Sequence, residues 1–168
     1  YFRDFNTARK YFMECWISVP HEQIDNPISK MNTLGLCLRN LEMWDSSAYY
    51  LNKAREWAIQ NHDTTWIGII GGNLGTIYDE LKQYDKAIPP FLTDIELSLK
   101  KREYGSAARA MSAVAQLYLK VNKKQEAFTW ANKSIALIYE QSLWKESRTI
   151  RAAYPEIANV LAAFRRSE

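Results

Sequence analysis

The chain has 168 residues, enough for one domain with a substantial core, and its 47% hydrophobic and 24% charged residues exclude a disordered segment. With 6 Gly and 5 Pro it lacks the turn residues of an all-β fold, and no run approaches the ~20 apolar residues of a membrane span. The net charge of +3 comes from 22 basic and 19 acidic residues interspersed along the chain, not from the concentrated basic stripe of a nucleic-acid binder.

Apolar spacing predicts helix throughout. A first helix covers roughly 3–19 and stops at Pro20. The next starts at Pro27, a favourable first-turn proline, and ends around Leu41. Asp45 or Ser46 is expected to cap a helix to about Gln60, and Asp63 and Thr64 a helix to about Lys82. Asp85 starts another, ending near Lys101; Pro89-Pro90 should make its beginning irregular or kinked. Helices near 105–121 and 124–140 follow, and a last segment over roughly 142–166 should kink or split near Ala153-Tyr154, just before Pro155. The chain begins at Tyr1, without a Met and inside an expected helix, which reads as a piece cut from a longer protein.

Three segments repeat. Leu34-Gly35, Leu38, Ser47, Leu51 and Ala54 align with Leu74-Gly75, Tyr78, Ala87, Phe91 and Asp94, and again with Val114-Ala115, Tyr118, Ala127, Ala131 and Ser134, at a constant offset of 40 residues. Ala8, Phe12 and Cys15 fit an earlier second helix, and Tyr154-Pro155 with Ala158 a later first helix. Small residues at Gly35, Gly75 and Ala115, and at Ser47, Ala87 and Ala127, would let paired helices approach closely. Such hairpins bury their apolar faces only by stacking.

Asn73-Leu74-Gly75-Thr76-Ile77-Tyr78, then Tyr84-Asp85-Lys86-Ala87 and Phe91, resembles the tetratricopeptide repeat signature W-x2-L-G-x2-Y followed by A-x3-F. Gly71 stands in place of the Trp, the closing Pro is missing, and the period is 40 instead of the common ~34 residues, so longer hairpin helices are expected. The resemblance implies an all-α fold, a right-handed superhelix of antiparallel helix pairs in a single array. Residues 1–20 would be the second helix of a partial repeat, 21–61, 62–101 and 102–141 three repeats, and 142–168 a terminal first helix or cap.

Nothing in the sequence assembles catalysis, so a non-enzyme without metal or cofactor is expected. His21 and His62 fall at helix junctions with no second ligand at metal spacing. Cys15 and Cys37 lack a CxxC and read as buried thiols. Gly68, Gly71, Gly72 and Gly75 share one helical face, which suits close packing and not a phosphate loop. Asp79-Glu80 are sequence neighbours that do not converge on a helix. Lys100-Lys101-Arg102 and Lys123-Lys124 read as solvated helix-end charges. Trp16, Trp57 and Trp130 fit packing between repeats; Trp44 takes the hairpin-turn place that Tyr84 holds one repeat later; Trp66 and Trp144 are candidates for an exposed edge.

In the family, first helices line a concave groove that holds a protein or peptide. Transferred position by position, the resemblance implies a groove of Asn32, Leu36 and Arg39, then Ile69, Asn73 and Thr76, then Arg109, Ser112 and Gln116, with Ser29, Thr33, Gly72, Asp79, Ala113 and Leu119 alongside. Thr149, Ala152 and Glu156 would extend the row. Asn side chains suit a peptide backbone, Arg a carboxylate, and Leu36, Ile69 and Leu119 apolar anchors. The carboxylate clamp of chaperone-binding members maps to Asn32, Leu36, Asn73, Arg109 and Ala113, of which Asn73 matches and Arg109 is a basic substitute, so that clamp is expected to be absent. The expected role is the sensory or scaffolding part of a larger protein, such as a bacterial signalling protein, without nucleic acid or membrane insertion, and with the cytoplasm the favoured compartment. The alternative is self-association into a homodimer through apolar ends at Phe2, Phe5, Phe12, Leu161 and Phe164.

Overall fold

The structure, a computed structural model, describes residues 26–143 and 153–165. Those residues are all-α, with seven helices and no strand among them. The helices are α1 (Pro27–Asn40), α2 (Trp44–Gln60), α3 (Thr64–Glu80), α4 (Tyr84–Lys100), α5 (Tyr104–Lys120), α6 (Lys124–Glu140) and α7 (Ala153–Arg165). They form two compact groups, one ending at Lys82 and one beginning at Gln83. In the first, α2 packs on α1 and α3, and α1 also touches α3. In the second, α5 packs on α4, α6 and α7, and α6 packs on α7.

From α2 to α6 each helix has 17 residues and each link three, so two helices and two links account for the 40-residue sequence period. Seventeen residues span about 25 Å. Every link turns the same way. Glu42, His62, Lys82, Arg102, Asn122 and Ser142, spaced 20 apart, all have φ between 53 and 61°. Each donates its N–H to the carbonyl three residues back, as in Glu42 to Arg39 at 2.9 Å and Arg102 to Leu99 at 3.1 Å. The next residue reaches back five, as in Met43 to Leu38, Asp63 to Ala58, Glu103 to Ser98 and Lys123 to Tyr118. This is the Schellman closure, which satisfies the last carbonyls of one helix while starting the next within three residues. No glycine occupies the left-handed position.

Helix starts differ from the sequence reading. Neither Asp45 nor Ser46 caps α2: the cap is Met43, which offers no side-chain bond, because the closure of the preceding link fixes the start two or three residues earlier. Asn26 and Asp63 do cap, Asn26 Oδ1 accepting from Ile28 and Ser29, and Asp63 Oδ1 from Thr65 and Trp66 at 3.1 Å each. α4 runs unbroken through Pro89 and Pro90, against the expectation of an irregular start. The carbonyls that the prolines leave without helical donors belong to Asp85 and Lys86, both exposed residues, so the loss falls at the solvated side of the helix start. Ala153 and Tyr154, the site of the expected kink or split, are already in α7 together with Pro155; the residues just before them, and the helix expected over 3–19, lie outside the described residues.

The core of the first group is Ile28, Leu51, Ala54, Ala58, Ile70, Leu74 and Ile77, with Trp44, Trp57, Trp66 and Tyr78 packed against it. Trp66, expected at an exposed edge, is half-buried against this core; Trp16 and Trp144 lie outside the described residues. Tyr78 ties α3 to α2, its hydroxyl accepting from Asn52 Nδ2 at 2.8 Å. The second group packs Ala108, Ile138, Leu143, Ala153 and Ile157 together, and Ala115, Ala127, Ala131 and Val160 beside them. Small residues set the helix separation. A methyl group at Gly35 would lie 2.6 Å from Leu51 Cγ and 3.3 Å from the Ser47 carbonyl, and Ser47 Oγ donates to the Gly35 carbonyl at 2.7 Å. Ser134 Oγ makes the corresponding kind of bond to the Ala108 carbonyl, from α6 to α5, at 2.8 Å.

Two substitutions test these contacts by urea denaturation. Gly35→Ala overfills a closed contact at a cost of about 1–3 kcal/mol, against about 1 kcal/mol gained in helix propensity, so the urea midpoint should fall. Arg102→Gly should raise it, because a non-glycine residue at positive φ carries about 1–2 kcal/mol of strain, more than the extra chain entropy of about 0.5–1 kcal/mol that glycine brings.

Candidate partner-binding surface

The first-helix residues singled out by the sequence fall into two sets, one in each compact group. In the first group, Asn73 Nδ2 on α3 donates to Asn32 Oδ1 on α1 at 2.9 Å. This bond sets the two helices side by side and makes their facing residues one surface. Asn32 itself is buried at 6% exposure, so it braces the surface from beneath. Leu36, Arg39 and Thr76 are half-buried, and Thr76 Oγ donates back to the Gly72 carbonyl at 3.0 Å. Ile69 is 47% exposed, an apolar side chain in water on a helix whose other apolar residues are mostly covered.

In the second group the row runs along α5 and meets α7. Ser112 is fully buried; its hydroxyl lies against a Glu156 carboxylate oxygen and the Arg109 carbonyl. Gln116 Nε2 donates to the Glu156 backbone carbonyl. Ser112 is thus a brace, not a contact residue, and Glu156, expected to extend the row, is what it braces against. Arg109 and Gln116 are half-buried. Thr149 and Ala152 lie outside the described residues.

One ionisable group near this row was not singled out for chemistry in the sequence. Asp94 on α4 is 5% exposed, at the position held by Ala54 and Ser134 in the sister repeats. Burial raises its pKa above the ordinary carboxylate value; the Ser98 hydroxyl, donating to Oδ1 at 3.0 Å, and the Arg109 charge oppose this without overcoming it, while Glu103 adds to it. Arg55 likewise departs from its column, where the other repeats carry Ile95 and Ile135; among the described residues its Nε is buried without a hydrogen-bond partner. The 40-residue alignment contained both signals, a charge in a column that is otherwise small or apolar.

The remaining chemistry-bearing residues are structural. Gly68, Gly71, Gly72 and Gly75 are buried within the continuous helix α3, so their N–H groups serve the helix and not a phosphate. His62 is exposed and forms the left-handed link residue. Cys37 is buried; Cys15 and His21 lie outside the described residues. Lys100 pairs with Glu96 at 2.6 Å, both side chains exposed. Among the described residues no group of three His, Cys, Asp or Glu is placed to hold a metal ion, and no helix is long and apolar enough to cross a membrane. Of the residues expected at apolar ends, Leu161 and Phe164 are half-buried: Leu161 packs against the core and Phe164 stacks on Phe128, with centroids 4.1 Å apart. Phe2, Phe5 and Phe12 lie outside the described residues.

Compared with models of known protein families and with curated proteins, the sequence matches none.

Asp94 gives a pH prediction. A folded-state pKa above the unfolded value means that the fold holds this proton more tightly than the unfolded chain does. The group's stabilisation is then complete in acid and is lost as pH rises through the folded value. Asp94→Asn keeps an oxygen for the Ser98 hydroxyl and removes the charge. In urea titrations across a pH series it should be the more stable form at neutral pH, with the advantage disappearing as pH falls below the Asp94 pKa.

Proposed function

We propose that this chain is a non-catalytic helical repeat module of the tetratricopeptide kind, its hairpins wound in a right-handed superhelix, that holds a protein or peptide segment against its first helices. The observation that carries this reading is the Asn73–Asn32 bond, which joins α1 and α3 into one face beside the exposed Ile69. An apolar anchor on a rigid, internally hydrogen-bonded surface is what a short extended or helical segment needs, because little order has to be created on binding. The constant helix and link lengths support the repeat reading, as does the Leu-Gly-x2-Tyr sequence at 74–78. By resemblance, the module serves as the sensory or scaffolding part of a larger signalling protein.

Asn73 is a poor probe of this face, since removing it strands a buried Asn32 oxygen and confounds binding with stability. Ile69 is the better one. Peptides selected from a random display library against the chain should bind Ile69→Glu at least about tenfold more weakly in fluorescence anisotropy, with unchanged helicity. Selected peptides that bind Ile69→Glu and Arg39→Glu as tightly as the parent would place the ligand elsewhere and sink this reading.

A further inference from the structure

One end of the second compact group gathers positive charge. α5 ends at Lys120, and the link leads through Lys123 into α6, which opens with Lys124. α4 starts at the same end: the Lys120 ammonium sits over the Tyr84 ring, 5.7 Å from its centroid, and Lys86 lies two residues on. α7 finishes there too, since Phe164 stacks on Phe128 near the start of α6 and Arg165 follows it. Lys86, Lys120, Lys123, Lys124 and Arg165 are all exposed, and only Asp85 and Glu126 among the first-turn residues offset them. The far end of the same helices is mixed in sign, with Lys100, Lys101 and Arg102 beside Glu96, Glu103 and Glu140.

The charges are placed against the local fold's interest. Lys123 is the N-cap of α6 and Lys124 its first residue, and the cap offers no side-chain bond to the first-turn N–H groups. Cations at a helix N-terminus oppose the helix dipole, and an uncapped start forgoes about 1 kcal/mol. Asp63, the N-cap of α3, shows that a link of this form accepts a capping side chain; Met43, Gln83 and Glu103 offer none either, so what sets Lys123 apart is its charge. Lys120 and Lys123 are also steadied, each with its ammonium over a ring, Lys123 at 5.9 Å from the Tyr118 centroid.

We propose that this basic end of the α4–α7 group is a docking surface for an acidic peptide segment of a partner protein. It is a different surface from the first-helix face and does not depend on that reading. A nucleic acid fits it less well. The Tyr84 and Tyr118 rings are covered by ammonium groups and the Phe128 and Phe164 rings by each other, whereas single strands are held by stacking bases on rings. Four of the five cations are lysines, point charges without the guanidinium fork that matches phosphate. Asp85 and Glu126 would repel a continuous phosphate backbone, while a peptide can set neutral residues opposite them.

The test uses a fluorescein-labelled peptide of glutamate and tyrosine, read by anisotropy at low ionic strength. Lys123→Asp combined with Lys124→Glu should weaken its binding by about tenfold or more. The same variant should melt at a higher temperature, because it supplies the missing cap and suits the dipole, so a loss of binding cannot be a loss of fold. Lys100→Glu combined with Lys101→Glu changes the net charge equally at the far end and should leave the affinity within about twofold of the parent. Equal weakening by both variants would reduce the effect to net charge and overturn the proposal. Tighter binding of a single-stranded oligonucleotide of matched charge than of the peptide would overturn it in favour of a nucleic-acid partner.

Discussion

The three-residue link is the constraint on which the rest of this structure depends. Each link must finish one helix, reverse the chain and start the next without leaving backbone groups unpaired, and it does so by placing its middle residue at positive φ. The links are equal in length and so are the helices from α2 to α6, so equivalent residues recur every 40 positions along the chain. Small residues then meet the neighbouring backbone at matching levels, as Ser47 meets Gly35 and Ser134 meets Ala108. A longer or softer link would let the helices slide, and contacts as close as that between Gly35 and Leu51 would become clashes.

Much of this was legible in the sequence, because period and packing are the same fact seen twice. The recurrence of Gly35, Gly75 and Ala115 marked where helices come together, and helix boundaries followed to within a residue or two across α1–α6. The links themselves were harder to see. A left-handed link residue usually announces itself as glycine, and here the six positions hold Glu, His, Lys, Arg, Asn and Ser. Composition carried no signal; the 20-residue spacing becomes visible only once the backbone angles are known. The same blindness misplaced the start of α2, where Asp45 and Ser46 have good capping chemistry but the closure through Met43 fixes the helix earlier.

The candidate face was legible as a set of positions but not as a set of roles. Resemblance places Asn32, Asn73, Ser112 and Gln116 along one row without saying whether each side chain faces a ligand or a neighbouring helix. In the structure Asn73 is bonded to Asn32, and Ser112 and Gln116 are bonded to Glu156. A polar side chain at a helix–helix contact is satisfied by whichever partner comes within reach, and the adjacent first helix comes first. The side chains too apolar or too far from the seam to be absorbed stay exposed, above all Ile69, and it is these that the proposed reading offers to a partner. On the proposed reading, polar braces below and an apolar anchor above would be complementary: the hydrogen bonds would hold the anchor's backbone still, so that its burial by a ligand would not be offset by ordering the site.

Departures from the repeat pattern carry more functional information here than the pattern itself. Where all repeats agree, as at the small residues of the helix contacts, the shared cause is packing. Where one repeat departs, packing has been overruled at a cost that can be named: a buried carboxylate at Asp94 in place of Ala54 and Ser134, and lysines at the start of α6 where the dipole favours acids. The two costs lie on the same side of the chain's division, among helices α4–α7. The first group has its own departure in Arg55, and its two link-fed helix starts differ: α3 carries the capping Asp63, whereas Met43 of α2 offers no side-chain bond. The uncapped start is shared with the sister links at Met43, Gln83 and Glu103, so the departure at Lys123 and Lys124 is one of charge, and it is this local conflict on which the proposed docking surface rests.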